Sequence, residues 1–182
     1  MKSPYAIRFF VFILILIASP AVFGQQPAAE DAREKTRARL SALLQRVGLE
    51  MKVNFQPSPK SQYVFTGVMQ EGLTNAEKLE IVVTVTNKDT IGFKIFPHYK
   101  GAYINIDKAR NSTQLQRKLL QLNESTFLFW GADDTGDVFT GYTFTLESGF
   151  PDEAIKIVLS SIKNSDVFVG QLRPSIDGST AP

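Results

Sequence analysis

The spacing of apolar residues predicts three helices, each with one apolar side. Three segments carry apolar residues at three- and four-residue steps, which places them on one face of a helix. These residues are Leu40, Leu43, Leu44 and Val47 in the first segment, Leu115, Leu119 and Leu122 in the second, and Ile155, Val158, Leu159 and Ile162 in the third. Asn111 and Gln114 have the spacing of a capping box before the second helix. Pro151 suits the first position of the third helix.

Alternation of apolar and polar residues predicts about six β-strands. Four segments lie between the first two predicted helices and two lie between the second and third. They are 51–55, 62–69, 79–86, 91–95, 127–130 and 138–146. Asp133–Asp137 has the composition of a hairpin turn, with Gly136 free to adopt a positive φ. Short turns join antiparallel strands, so the order α-β-β-β-β-α-β-β-α predicts an α+β fold around an antiparallel sheet.

The first 24 residues have the layout of a secretory signal peptide. Lys2 and Arg8 precede an apolar run over residues 9–18, and Gly24 is a small residue at the expected cleavage position. Ten apolar residues are too few to span a bilayer, which needs about 20. We therefore expect export to the periplasm or the extracellular space. An uncleaved membrane anchor is the alternative; once the leader is cleaved, no stable anchor is expected.

The leader divides the chain into unequal parts and changes its charge. We expect residues 25–35 to form a flexible segment, residues 36–176 to form one domain and residues 177–182 to form a tail. The whole chain has a formal net charge of +2, with 20 basic and 18 acidic residues, and the leader holds two of the basic ones. The exported part is thus neutral, which argues against nucleic acid as a partner. The absence of cysteine excludes disulfides and thiol chemistry.

No combination of residues predicts an active site, a metal site or a cofactor. His98 is the only histidine and has no cysteine or second histidine with which to share a metal. Its neighbours Pro97 and Tyr99 favour a loop position. The acidic residues of Asp133–Asp137 could bind Ca²⁺, but the spacing differs from an EF-hand and favours a solvated turn. Asn111 and Asn123 stand in Asn-x-Ser/Thr sequences that match glycan acceptors, although helix capping and helix ending explain both.

A surplus of apolar residues on the strands is the more informative feature. Phe127 and Phe129 point to one side of their strand, so Leu128 and Trp130 point to the other. In neighbouring strands a second apolar row runs opposite the main one. The predicted members of an exposed apolar patch are Trp130, Leu128, Phe139, Phe96 and Val82. Three short helices cannot easily cover both sides of six strands, and exposed apolar patches often mark protein interfaces. The alternative is that a helix or the 97–107 segment covers this patch.

The order of elements and three local sequences resemble the YbjN-type sensory-transduction-regulator domain, a family similar in fold to type III secretion chaperones. The local sequences are the helix end Leu119-Leu120-Gln121-Leu122-Asn123-Glu124, the acidic turn at 133–137 between two strands, and the segment 165–172. The resemblance covers about residues 36–176. It departs from the family in its signal peptide and its higher strand count before the central helix. It implies a non-enzymatic module that often pairs with itself and supplies no catalytic residues.

These observations favour an exported, non-catalytic protein-binding or chaperone-like module, with a protein partner or a second copy of itself as the expected ligand. The alternative is an extracytoplasmic carrier of a small apolar ligand or lipid, with aromatic strands lining a concave pocket. The least favoured function is that of an enzyme whose active site uses two acidic residues from separate parts of the chain.

Overall fold

A computed structural model describes residues 25–179, with side chains from residue 30 onward, and it has the predicted α+β class. The predicted leader and the last three residues lie outside this range. The elements in order are α1 Gln25–Met51, β1 Gln56–Ser58, β2 Ser61–Met69, β3 Lys78–Val85, β4 Thr90–Tyr99, β5 Ala102–Tyr103, α2 Ser112–Ser125, β6 Phe129–Ala132, β7 Val138–Thr145, α3 Asp152–Ser161, a 3₁₀ turn Ile162–Asn164, and α4 Ser165–Asp177.

The strands form one antiparallel sheet in the order β1-β2-β3-β4-β7-β6, with the short β5 paired to the end of β4. The hairpin between β6 and β7 turns at Gly136, whose φ is +80°. Asp133 stabilises this turn by accepting hydrogen bonds from the Thr135 and Asp137 backbone N–H groups at 3.0 and 2.9 Å. The predicted turn chemistry is therefore confirmed.

One apolar cluster joins the helices to one face of the sheet. It contains the predicted apolar faces of the helices together with the main apolar row of the strands, for example Ile81 and Phe93, and these side chains are almost fully buried. Asn111 caps α2 as predicted: its side chain accepts from the Gln114 N–H and donates to the Gln114 side chain. The helical periodicity thus identifies the helix faces that are buried.

Several predicted boundaries are wrong for identifiable reasons. Residues 25–35, predicted as flexible, belong to α1, because Arg33 donates from its guanidinium to the Val85 carbonyl oxygen and Tyr63 donates to Glu30. The predicted strand 51–55 is the end of α1 and the loop before β1. The predicted third helix continues through a 3₁₀ turn into α4, and a seventh strand, β5, follows β4.

Pro97 lies inside β4 although proline normally ends a strand. The pairing of β4 with β7 ends at Ile95. The Pro97 carbonyl oxygen accepts from the Ile104 N–H at 3.2 Å, so the ring nitrogen faces the same side, away from β3. The absent N–H therefore removes no hydrogen bond to β3, and β4 continues to Tyr99.

Candidate functional site: the open face of the sheet

The two faces of the sheet have different surroundings. The face that packs on the helices includes Ile95 of β4. Ile95 pairs with Thr140 of β7, and Thr140 pairs with Trp130 of β6. Directly paired residues of antiparallel strands point to the same side, so Trp130 belongs to the helix-covered face. The opposite side, called the open face below, carries Val64, Thr66, Val68, Lys78, Glu80, Val82, Thr84, Gly92, Lys94, Phe96, His98, Tyr103, Phe129, Gly131, Phe139, Gly141 and Thr143.

The prediction that Trp130 and Leu128 form an exposed patch is wrong. Trp130 is 4% exposed and Leu128 is 6% exposed, and both belong to the cluster beneath the helices. Leu128 and Trp130 share one side and Phe129 takes the other, as predicted, but the side assigned to the interior is reversed. Phe127, which precedes β6, does not share the side of Phe129 as predicted, because its ring contacts Tyr142 on the helix-covered face.

The cause of the reversed assignment is Thr140, a polar residue in the buried row of β7. In the sequence it makes the other row of β7, which contains Phe139, look like the more apolar one and hence like the side of Trp130.

The other three predicted patch residues do lie on the open face. Phe139 is buried, yet among the described residues it is the one buried hydrophobic side chain outside the main cluster. Its ring is covered by neighbours on the open face: the centroids of Phe96 and Phe129 both lie 5.7 Å away. Phe96 and Val82 are half-buried. Phe129 remains 42% exposed, so the cluster presents apolar surface to solvent.

Two glycines give these rings their positions. Phe129 lies opposite Gly141 and Phe139 lies opposite Gly131 in the β6–β7 register. A Cβ at Gly141 would collide with the Phe93 carbonyl oxygen and would lie 3.1 Å from the Phe129 ring. An aromatic side chain resting on a cross-strand glycine is a known device for covering exposed backbone. Here it packs the Phe129 and Phe139 rings against the glycine positions of the neighbouring strand and edge-to-face on each other, with ring planes at 90°.

A polar group borders the aromatic cluster on the side of β3 and β5. The Tyr103 ring lies over the His98 ring, with centroids 4.1 Å apart, and its hydroxyl donates to Glu80 at 2.8 Å. This hydrogen bond, with burial and the charge of Glu80, raises the pKa of Tyr103 to about 12. His98 lies in β4 and is buried, so its predicted loop position is wrong.

The surroundings of the His98 imidazole favour its neutral form. Its Nε2 lies 3.5 Å from Glu80 Oε2 and makes no hydrogen bond within residues 25–179. Burial lowers the pKa of His98, the nearby Lys78 charge lowers it further, and Glu80 opposes both. With the Tyr103 ring over it and no hydrogen bond at Nε2, His98 packs beneath the open face.

The open face also carries separated charges of both signs. Lys94 extends over the Phe139 ring, with its Nζ 4.4 Å from the centroid, an arrangement that favours the cation. Glu80 lies on the neighbouring strand β3, two residues before Val82, which pairs with Lys94. Glu80 itself pairs with Phe96. The aromatic cluster is therefore bordered by an exposed ammonium group on one side and a partly exposed carboxylate on the other.

The edges of the sheet are less available than its face. At the β6 edge, the Asn123 side chain accepts from the Trp130 N–H at 2.5 Å and donates to the Trp130 carbonyl oxygen at 3.1 Å. These two groups would otherwise pair with an added strand. The opposite edge is β1, which has three residues, one of them Pro57. Both edges thus resist strand addition.

Within residues 25–179, no group of three or more His, Cys, Asp or Glu side chains is arranged to hold a metal ion. None of the helices in that range is long and apolar enough to cross a membrane. The chain matches no protein-family model, and a search of curated proteins finds none similar to it.

Sequence reasoning missed Phe129 and Tyr103. The hairpin register was a usable signal for Phe129: a turn centred on Thr135 places residue 131 opposite 139 and therefore Phe129 with Phe139 on one side. Tyr103 had no such signal, because β5 is two residues long and its pairing with His98 depends on the tertiary path of residues 100–105.

Proposed function

We propose that this chain is an exported, non-catalytic protein-binding module that binds a second copy of itself through the open face. The observation that carries the proposal is the aromatic cluster of Phe96, Phe129 and Phe139 on the side of the sheet away from the helix-packed core. Water-exposed aromatic surface of this kind is costly to leave uncovered and is enriched at protein interfaces.

The size of the face suits a weak, reversible pair. Five strands spaced about 4.8 Å apart, with open-face residues over about 20 Å of strand length, give a surface on the order of 500 Å². Two such surfaces together bury on the order of 1,000 Å², which is near the lower limit for a specific interface. The proposal therefore expects a dimer whose population depends on concentration.

Charge favours a second copy over a strongly charged partner. One two-fold axis between two open faces, perpendicular to the line from Glu80 to Lys94 and passing through its midpoint, would bring Glu80 of each copy to Lys94 of the other, the reciprocal contact of an isologous interface. A highly acidic or highly basic partner would find one of these two groups repulsive. The blocked edges further favour contact between faces over strand addition.

The sequence supports the remaining parts of the proposal. Export is supported by the two basic residues at the start, the short apolar run that follows them and the small residue Gly24 at the expected cleavage position. The resemblance to YbjN-type domains supports a non-enzymatic module that pairs with itself. The environment of His98, the only histidine, supports a packing role because its buried ring lies beneath Tyr103.

Phe129→Glu is expected to weaken self-association at least ten-fold. The substitution places a carboxylate inside the apolar part of the proposed interface, where its desolvation costs several kcal/mol. The measurement is sedimentation velocity over a range of concentrations, using protein purified after export from the full-length chain. The wild type should sediment with increasing mass as concentration rises, and Phe129→Glu should remain a monomer.

Phe127→Glu is the matched control. Phe127 is 55% exposed and lies two residues from Phe129, but its ring contacts Tyr142, which is on the helix-covered face. It should associate like the wild type, and far-ultraviolet circular dichroism should show both variants folded. A wild type that stays monomeric at every concentration, or two variants with equal effects, would contradict the proposal.

A further inference from the structure

Three titratable side chains lie together at one end of the open face, between β3, β4 and β5. His98 of β4 pairs with Lys78 of β3 and with Tyr103 of β5. The Tyr103 hydroxyl donates to Glu80 Oε2 at 2.8 Å, and the same carboxylate oxygen lies 3.5 Å from His98 Nε2. From the β6–β7 hairpin, the charge of Asp137 acts on Tyr103. A buried imidazole nitrogen without a hydrogen-bond partner within residues 25–179 thus faces a carboxylate of the proposed interface.

Uptake of a proton by His98 changes its relation to Glu80. The neutral ring has one N–H, and at 3.5 Å its Nε2 makes no hydrogen bond with Glu80. The protonated ring has an N–H on both nitrogens and a positive charge. Hydrogen bonds from a charged N–H to a carboxylate are about 2.7–2.9 Å long, so the gap has to close by only about 0.6–0.8 Å. A small side-chain movement therefore converts this contact into an ion pair.

The charges that face His98 from β3 and its preceding loop have both signs. Burial is the main cause that lowers the pKa of His98 below its ordinary 6.5, and the charge of Lys78 lowers it further. Glu80 and Glu77 oppose this shift. Tyr103 stays neutral throughout, because its pKa is raised to about 12. His98 thus takes up its proton below pH 6.5, in a range whose upper part leaves ordinary carboxylates ionised.

This proton has a direct consequence for the proposed pair, in which Glu80 of each copy faces Lys94 of the other. While His98 is neutral, Glu80 brings one negative charge to that contact. Once His98 is protonated, the two side chains together are neutral, and the attraction for Lys94 is lost. The contact occurs twice in a two-fold pair, so the loss is doubled.

We propose that His98 makes self-association through the open face sensitive to pH: two copies associate while His98 is neutral and separate when it takes up a proton and binds Glu80. This inference rests on the proposed function, because it concerns the regulation of the same surface. Association is therefore strongest above pH 6.5 and weakens as the pH falls through the pKa of His98. Linkage requires the reciprocal effect, so association lowers the proton affinity of His98 by the same factor.

The first test is sedimentation velocity at pH 7.5 and pH 5.0, with untagged protein purified after export from the full-length chain. The dissociation constant of the wild type should rise about 2–30-fold at pH 5.0, the effect of losing two exposed ion pairs. His98→Gln replaces the imidazole with a neutral side chain and should associate alike at both pH values. Asp134→Asn is the matched control: it removes an exposed carboxylate of the β6–β7 turn and should keep the wild-type pH dependence.

The second test is nuclear magnetic resonance, which needs no substitution of the histidine. The chain has one histidine, so its Cε1 proton gives a single resonance. In the monomeric Phe129→Glu variant this resonance should titrate with a midpoint below pH 6.5, and the Glu80 amide resonance should shift with the same midpoint. In the associated wild type the midpoint should be lower still.

The two tests separate failure of the pH dependence from failure of self-association. Equal association of the wild type at both pH values, undiminished pH dependence in His98→Gln, or a histidine that does not titrate above pH 5.0 would overturn the role of His98 and leave self-association standing. If His98→Gln does not fold, the titration midpoints of the monomer and the associated wild type decide instead, and equal midpoints would overturn the proposal. A wild type that is monomeric at both pH values would overturn both proposals.

Discussion

Replacing Trp130 with alanine is expected to destabilise the protein by about 3–5 kcal/mol, the usual cost of removing a large aromatic side chain from a core. Trp130 is 4% exposed and packs on Phe168 beneath the helices. Truncation would leave a cavity between β6 and α4 that the surrounding backbone cannot close. The unpartnered indole N–H moderates the loss, because its removal relieves one buried polar group.

Phe129→Ala provides the comparison from the adjacent position. Phe129 points to the open face and is 42% exposed, so its truncation should cost about 1 kcal/mol or less in the monomer. Urea unfolding followed by circular dichroism measures both variants without relying on tryptophan fluorescence. Equal losses for the two variants, or a larger loss for Phe129→Ala, would mean that the two faces of β6 are assigned the wrong way round.

Asp166→Asn is expected to destabilise the protein by about 2–4 kcal/mol, because a buried carboxylate stabilises the loop before β3. Asp166 is 4% exposed and accepts hydrogen bonds from the backbone N–H groups of Thr74, Asn75 and Ala76 at 2.7–2.9 Å. It also accepts from the Thr74 hydroxyl at 2.8 Å. An amide at this position turns an NH₂ group toward some of these donors. A loss of this size lowers the melting temperature by about 4–16 °C in a chain of this length.

The same carboxylate gives a pH dependence with a definite sign. Burial opposes ionisation and raises the pKa of Asp166, but the hydrogen bonds from Ala76, Thr74 and Asn75 together outweigh it, so the net pKa is lowered. A carboxylate with a lowered folded-state pKa stabilises the fold above its unfolded pKa of about 3.9. That stabilisation decreases as the pH falls through the folded-state value.

Thermal melts between pH 2 and pH 7 separate this effect from general acid unfolding. The wild type should lose stability below about pH 4 more steeply than Asp166→Asn, since the variant has no carboxylate to protonate at this position. Asp134→Asn is the control, because Asp134 is exposed in the β6–β7 turn. A variant with wild-type stability at pH 7, or with an unchanged acid slope, would contradict the role assigned to Asp166.

The sequence predicted the features that depend on local periodicity. Leu115, Leu119 and Leu122 identify the buried side of α2, and Asn111 identifies its start, because both signals act within a few residues. The alternation in β3 and β4 likewise predicts two strands with one apolar row each. These elements determine the α+β class, which the structure confirms.

Features set by distant residues were not predictable in this way. Asp166 lies 90 to 92 positions from the loop residues that it binds, so no local pattern in the sequence connects the two. The direction of Trp130 depends on the register that pairs it with Thr140 and on the helix that covers it. A local pattern gives the alternation of a strand but not which side is inside, unless the register of its partner is also used.

The most direct test of the open face as the site of self-association is a distance measured between two copies. The chain has no cysteine, so single variants Thr143→Cys and Ile157→Cys can each carry one spin label. Thr143 is exposed on the open face and Ile157 is 61% exposed on α3, on the other side of the sheet. Sedimentation should first show that both cysteine variants associate like the wild type. The distances between their labels are then compared.

Two sheets packed face to face lie about 10 Å apart, and each carries a helix layer about 10 Å further out. Double electron–electron resonance should therefore give a distance below about 35 Å for labels at position 143 and beyond about 40 Å for labels at position 157. The reverse order, or no inter-copy distance for the label at position 143 in a sample that sediments as a dimer, would contradict self-association through the open face.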